Sequence, residues 1–197
     1  IRFPSHKVTR SLLSQIKTPL AAPSANIASK LSPTSAEDVI EEFGNKLKFI
    51  LDGGKCKIGV ESTIVDLTGK PKILRTGFIT AQKIYKILGK KIFVEKKSKT
   101  IKSPGQLHLH YSPGIPVYVN KTSPKKGGAF IAFGNKFRNG TNYFNLSKKS
   151  NLNEAANNLY KTMRIIKKRG YKKIFVTKIP NVGAGIAIND RLIRASK

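Results

Sequence analysis

Ser24 and Asn26 stand just after the apolar run Pro19-Leu20-Ala21-Ala22 and Pro23. Proline lacks a ladder donor and biases Ala22 towards extended backbone, so a buried strand over 19–22 is expected to end here and feed a functional turn. If the extended geometry continues, a spacing of two puts the hydroxyl and the amide on one face. Serine and asparagine are also ordinary loop formers, and on this octapeptide alone the turn reading has the advantage. Arg75 ends a second apolar run beside Gly77, where an arginine has little structural purpose and where a guanidinium suits the planar oxygens of phosphate. His108 and His110 are one residue apart and could project together as metal ligands, but no acid lies nearby and Cys56 is far away. A hydrogen-bonded role is the better reading for His110. There is no P-loop, no GxGxxG, no paired metal cysteines and no HExxH.

The elements that must hold these residues follow from periodicity and capping. Val8, Leu12, Leu13 and Ile16 recur as on the buried side of a helix over 6–16. Thr34 and Glu37 make the T-x-x-E capping pattern for a helix through Phe43, closed by Gly44. Residues 49–51, 63–65 and 72–75 read as short strands bounded by glycines. Thr80 caps a helix through Leu88 with Ile84, Ile87 and Leu88 as its stripe and Gly89 as its stop. Residues 95–115 read as a linker, rich in lysine, serine, proline and glycine. A second alternating unit spans 116–197, with strands at 116–119, 129–133, 143–146 and 174–176 and helices at 152–169 and 184–195. Asn151 and Glu154 form a cap pair for the longer helix. Strands alternating with helices predict an α/β or α+β layered sheet.

Length allows one large or two small domains, and 39% hydrophobic residues suffices for real cores. No stretch is long and apolar enough for a membrane span, and no leader peptide opens the chain. Beginning at Ile1 without methionine, the sequence looks like a piece of a longer protein. One cysteine, Cys56, rules out an internal disulfide framework and suits a reducing cytoplasm, where it is most simply a small half-buried hydrophobe. The net charge of +28 implies contact with a polyanion or a genome rich in lysine codons. Up to residue 94 there are 16 basic and 7 acidic residues, and after it 22 and 3, so the excess sits in the second half.

Taken in order, Pro23-Ser24-Ala25-Asn26, Ser32-Pro33-Thr34, Leu51-Asp52-Gly53-Gly54, Gly59-Val60-Glu61-Ser62-Thr63-Ile64-Val65-Asp66 and Ile73-Leu74-Arg75-Thr76-Gly77 resemble the second half of a YrdC-type domain. Ser103-Pro104-Gly105 with His110-Tyr111-Ser112-Pro113 resembles the linker of that family's long, two-domain form, the L-threonylcarbamoyladenylate synthases. The resemblance implies an α/β fold: the C-terminal part of a YrdC-like twisted-sheet domain over 1–94, a lid-like linker over 95–115, and a small three-layer α/β accessory domain over 116–197. It implies a nucleotidyltransferase that joins L-threonine, bicarbonate and ATP, with Mg2+ accompanying the ATP, into an adenylate for tRNA modification. A downstream tRNA threonylcarbamoyl transferase would consume that product. Contact with tRNA is an implied partner reading, and a membrane is not.

Carried over position by position, Ser24 and Ser62 would touch threonine, while Asn26, Ser32, Thr34, Arg75 and Tyr111 would touch ATP. The same residues have plainer explanations: Thr34 as a helix cap, Ser62 as a strand start, Tyr111 as an amphipathic core anchor. The chain departs from the family at Ala28 and Ser29, where serine then glycine is usual, and at Thr76, where proline is usual. The family's first half, with its Lys-x-Arg signature, is absent, so the chain alone is expected to hold an incomplete active site. A basic RNA-binding or ribosome-associated module is the alternative, though the chain lacks the aromatic-rich strand of an RNA-recognition domain and any GXXG clamp. A related carbamoyl-adenylate-forming domain would share the Ser24-x-Asn26 site but lack this linker and second domain.

Overall fold

Helix boundaries follow local stop and start signals closely. The computed structural model describes residues 1–95, 103–104, 110–137 and 140–196. Helix α1, Lys7–Ile16, stops where Lys17 turns left-handed at φ 55°. Helix α2, Ala36–Phe43, ends at Gly44, whose φ of 50° suits a residue without Cβ. Helix α3, Ala81–Leu88, starts under the Thr80 hydroxyl, which accepts from the Lys83 amide, and stops at left-handed Gly89. The cap of α2 differs from expectation by one residue. Ser35 is the N-cap and accepts from the Asp38 amide, while the Thr34 amide and hydroxyl both donate to the Asp38 carboxylate, at 2.8 and 2.9 Å. Asp38 thus bonds Ser35 through its amide and Thr34 through its carboxylate, one residue further back than a capping box reaches, in place of the expected Thr34–Glu37 pair.

The first sheet is small. Strand β1, Ile64–Asp66, pairs antiparallel with β2, Lys72–Arg75, and β2 pairs parallel with β3, Phe93–Val94. The run 19–22 is not a strand, and Leu20 is 58% exposed. Residues 49–51 are not a strand either, with Phe49 at 92% exposure. An apolar run becomes a strand only beside a partner that takes its backbone bonds, and no described strand lies beside either run. The apolar stripes of α1 and α3 likewise stay open, since neither helix buries a residue and no described element covers them. Cys56 is exposed, not half-buried.

The second sheet follows the expected order closely. Strands β4 (Val117–Tyr118), β5 (Gly128–Ala132), β6 (Tyr143–Asn145) and β7 (Lys173–Val176) form an all-parallel sheet in the order β4-β7-β5-β6. Helix α4, Leu152–Lys168, crosses between β6 and β7 under an Asn151 cap, and α5, Gly185–Ala195, closes the unit. Central β5 is buried throughout, as befits a parallel strand covered on both faces. Both helices cover the face carrying Ala129, Ile131, Ile174 and Val176. Phe130, Ala132 and Phe175 pack with Phe137 and Tyr143 in a separate cluster on the other face.

The main core crosses from one sheet unit to the other. Leu31, Val60 and Tyr111 belong to the same buried cluster as α4, α5 and the parallel sheet. Gly59 makes the approach possible: a Cβ there would lie 2.3 Å from the Asn157 carbonyl oxygen and 2.7 Å from that of Ala156, both on α4. Helix backbone cannot yield as a flexible side chain can. Gly59→Ala is therefore expected to destabilise the protein by about 1–3 kcal/mol in chemical denaturation, the usual cost of overpacking. Parental stability would show that this contact is slack.

Candidate functional site

The β1–β2 pairing brings two of the expected site residues together. Arg75, the last residue of β2, lies opposite Ile64, and a bulge between Ile64 and Val65 turns the chain just after Ser62. Arg75 Nε donates to the Ser62 carbonyl at 3.0 Å and Nη1 to the Pro104 carbonyl at 3.3 Å. The arginine thus has a structural purpose that its sequence context did not reveal. Gly77 lets the following turn press in, since a Cβ there would sit 2.3 Å from the Thr63 amide.

Around this corner lies a cleft of about 500 Å³ whose lining includes Ser24, Ser32, Glu61, Ser62, Arg75, His110 and Tyr111. Five of the seven sequence-predicted site residues therefore share one space. Asn26 and Thr34 do not line it. Ala25 is left-handed at φ 51°, which breaks the extended geometry between Ser24 and Asn26. The Ser24 hydroxyl donates to Asn26 Oδ1, and Asn26 Nδ2 turns to the carbonyls of Ile27 and Lys30, at 2.9 and 3.2 Å. Thr34 lines a smaller cleft of about 210 Å³ with Cys56, Asn157, Lys161 and Arg164. His108 lies outside the described residues.

The floor of the larger cleft is a charged cluster that sequence reasoning missed. Glu61 accepts from the Ser32 hydroxyl at 2.6 Å, from the Tyr160 hydroxyl at 3.0 Å and from Arg191 Nε at 2.8 Å. Arg191, fully buried on α5, also donates to Asp190 at 2.6 Å and to the Thr76 carbonyl at 2.9 Å. The signal was available: Arg191 sits on the apolar stripe of α5 between Ile188 and Ala195, where a lone arginine must find a buried partner. Tyr160 sits in the same way on the stripe of α4. Burial pushes the Glu61 pKa up, but Arg191 and the hydrogen bonds from Ser32 and Arg191 outweigh it and leave it below the usual value. Burial and the neighbouring Glu61 hold the Tyr160 hydroxyl well above its ordinary pKa.

Tyr111 stands over this floor. It is left-handed at φ 62° and 1% exposed, stacks on Tyr160 with centroids 6.0 Å apart, and takes the Arg191 guanidinium 4.9 Å over its ring. Its buried hydroxyl lies beside the Arg75 guanidinium and makes no hydrogen bond of good geometry among the described residues. The Tyr111 amide donates to His110 Nδ1 at 2.9 Å, so that nitrogen carries no proton, and burial lowers the His110 pKa. Burial also lowers the pKa of Arg75.

The chemistry such a cleft can do is binding and orientation. Glu61, its one carboxylate, is committed to three donors and is a poor general base. Among the described residues, no group of three or more His, Cys, Asp or Glu could hold a metal ion. The lowered Glu61 pKa means that the folded state binds fewer protons than the unfolded chain, so this stabilisation is complete above about pH 4.3, the ordinary glutamate value, and is lost as pH falls through the lower folded value. The melting temperature is expected to drop more steeply below about pH 4 for the parent than for Glu61→Gln, read by scanning calorimetry. Parallel curves would remove Glu61 from the account.

Residues 1–77 match the family model described as "Telomere recombination", and residues 79–197 match "Threonylcarbamoyl-AMP synthase, C-terminal domain". The chain is 34% identical to the threonylcarbamoyl-AMP synthase of Pyrococcus abyssi over 216 residues, covering 100% of this chain and 63% of that protein. It is 31% identical to the Bacillus subtilis protein of the same name, covering 100% of this chain and 62% of that one. The crystal structure of P. abyssi Sua5 complexed with L-threonine superposes with a TM-score of 0.86 at 34% identity, over 99% of this chain and 63% of that chain. The chain thus spans less than two thirds of the length of these relatives.

Proposed function

Because the chain belongs to the threonylcarbamoyl-AMP synthase family, we propose that this protein joins L-threonine, bicarbonate and ATP into threonylcarbamoyl-AMP, releasing pyrophosphate and water. The observation that carries the reading is the gathering of Ser24, Ser32, Ser62, Arg75 and Tyr111 in one cleft. Threonine's own amine captures the carbon dioxide unit, and the resulting carbamate attacks the α-phosphate. The reaction thus needs positioning and charge stabilisation more than a protein nucleophile. The hydroxyls of Ser24, Ser32 and Ser62, the Arg75 guanidinium and the Tyr111 ring suit that work.

In this scheme Ser24 and Ser62 hold threonine, and Ser32, Arg75 and Tyr111 hold the nucleotide. The nucleotide contacts proposed for Asn26 and Thr34 lie outside the cleft and belong to a part of ATP that extends beyond it. Mg2+ arrives with the ATP as part of the substrate, since Glu61 is already committed. The linker acts as a lid: Pro104 is tied to Arg75 and Tyr111 is seated on the floor, so closure excludes water from a mixed anhydride that hydrolyses readily. We place residues 1–94, 95–115 and 116–197 as catalytic part, lid and accessory domain. The product passes in the cytoplasm to the transferase that modifies tRNA, and the basic second half offers that RNA a favourable field.

The whole gene product, given ATP, L-threonine and bicarbonate, is expected to form threonylcarbamoyl-AMP with pyrophosphate release that depends on threonine. Pyrophosphate release indifferent to threonine would sink the reading. Arg75→Lys keeps the charge but loses the fork that bonds two carbonyls while facing the cleft. It is expected to lower kcat/KM for ATP about tenfold, and parental activity at subsaturating ATP would dismiss a bidentate role. Amide exchange at His110 and Tyr111 is expected to slow when ATP and threonine are added together. If exchange ignores both ligands, the segment is only a tether.

A further inference from the structure

Glu61 belongs to the segment that forms the cleft, whereas Arg191 and Tyr160 come from the last two helices of the second unit. The proposed chemistry uses none of the three. We propose that Arg191 and Tyr160 are positioning residues for the cleft, acting through the Glu61 carboxylate; this assignment rests on the reading of the cleft as a threonine and nucleotide site.

Four contacts converge on this cluster, and each leads to a cleft residue. The Glu61 carboxylate fixes the Ser32 hydroxyl at 2.6 Å. Its own backbone leads directly into Ser62, whose carbonyl holds Arg75. Arg191 Nη2 fixes the Thr76 carbonyl at 2.9 Å, one residue beyond Arg75. The Tyr111 ring lies 4.9 Å from the Arg191 guanidinium and 6.0 Å from the Tyr160 ring. A guanidinium has a rigid fork, so its contacts with Glu61, Asp190 and Thr76 fix its orientation and, through it, the seat of Tyr111. The second unit thereby sets the relative places of Ser32, Ser62, Arg75 and Tyr111 without touching substrate.

A purely structural ion pair and a positioning one make different forecasts when both charges are removed. Deleting one partner strands a buried charge, whereas replacing both with uncharged groups of similar size is often neutral for stability. In the whole gene product, the double variant Glu61→Gln/Arg191→Met is therefore expected to melt close to the parent, to raise KM for ATP about tenfold, and to keep kcat within about twofold, the pattern of lost ground-state organisation. A folded double variant with the parental KM overturns the proposal. If the double variant does not fold, Tyr160→Phe decides, since it removes one hydrogen bond to Glu61 and leaves both charges in place: a rise in KM of about threefold supports positioning, and an unchanged KM overturns it. Amide exchange without ligands separates this proposal from the reaction itself. Faster exchange at Ser32, Ser62 and Tyr111 with β5 and β7 unchanged supports the coupling even if the parent makes no threonylcarbamoyl-AMP, an outcome that would instead refute the reaction. Unchanged exchange at all three overturns the coupling even in an active enzyme.

Discussion

A carboxylate removed from water must be met by a cation and by donors, and the meeting of Glu61 with Arg191 is the constraint on which the rest of this molecule depends. The fully buried arginine and the nearly buried glutamate would each be costly alone. Together, with Ser32, Tyr160, Asp190 and the Thr76 carbonyl completing their bonds, they can be tolerated only at one relative placement of the two sheet units. Apolar packing alone would accept small slides between Leu31, Val60 and the faces of α4 and α5. A directional cluster does not, and its directionality gives the joint between the units a single geometry.

The sparse acidic residues show the same logic at the surface. The chain carries 10 acids against 38 Lys and Arg, a balance that would push its halves apart. Several acids in the first half face cations of α4: Asp38 and Glu42 lie 3.6 and 3.5 Å from Arg164, and Glu41 lies 2.7 Å from Lys168. Arg164 also reaches the Leu31 carbonyl at 2.8 Å. The outer Lys168 pair is half-exposed and weakened by salt, while the Arg191 pair is shielded from it. A basic second half is therefore compatible with a tight joint, because four of the seven acids of the first half, Asp38, Glu41, Glu42 and Glu61, meet its cations there.

How much was legible in the sequence depended on whether a signal and its cause lay close together. Caps and left-handed stops are local, so the ends of α1, α3, α4 and α5 were readable to within a residue or two. The parallel unit was readable because its strands and helices bury one another. The run 19–22 and the stripe Val8, Leu12 and Ile16 announced burial that depends on a partner elsewhere, and the described residues supply none. The hydroxyls at 24, 32 and 62, with Arg75 and Tyr111, were legible as an ordered set of motifs. Glu61 was not, because its partner lies 130 residues away: the apolar stripe of α5 announces that Arg191 needs a buried acid but not which one. Arg75 was legible as a site residue for an incomplete reason, since its carbonyl partners at Ser62 and Pro104 also explain its burial.

That 130-residue separation also sets a timetable. A ribosome adding residues at about 5–20 per second leaves Glu61 waiting on the order of ten seconds before Arg191 is made. Through that interval the carboxylate stays hydrated, Tyr111 has no cation above its ring, and Ser32 has no fixed acceptor. Loop closure over so long a span precedes the contacts that reward it. The seats of Ser32 and Tyr111 therefore lack these contacts until α5 has been made.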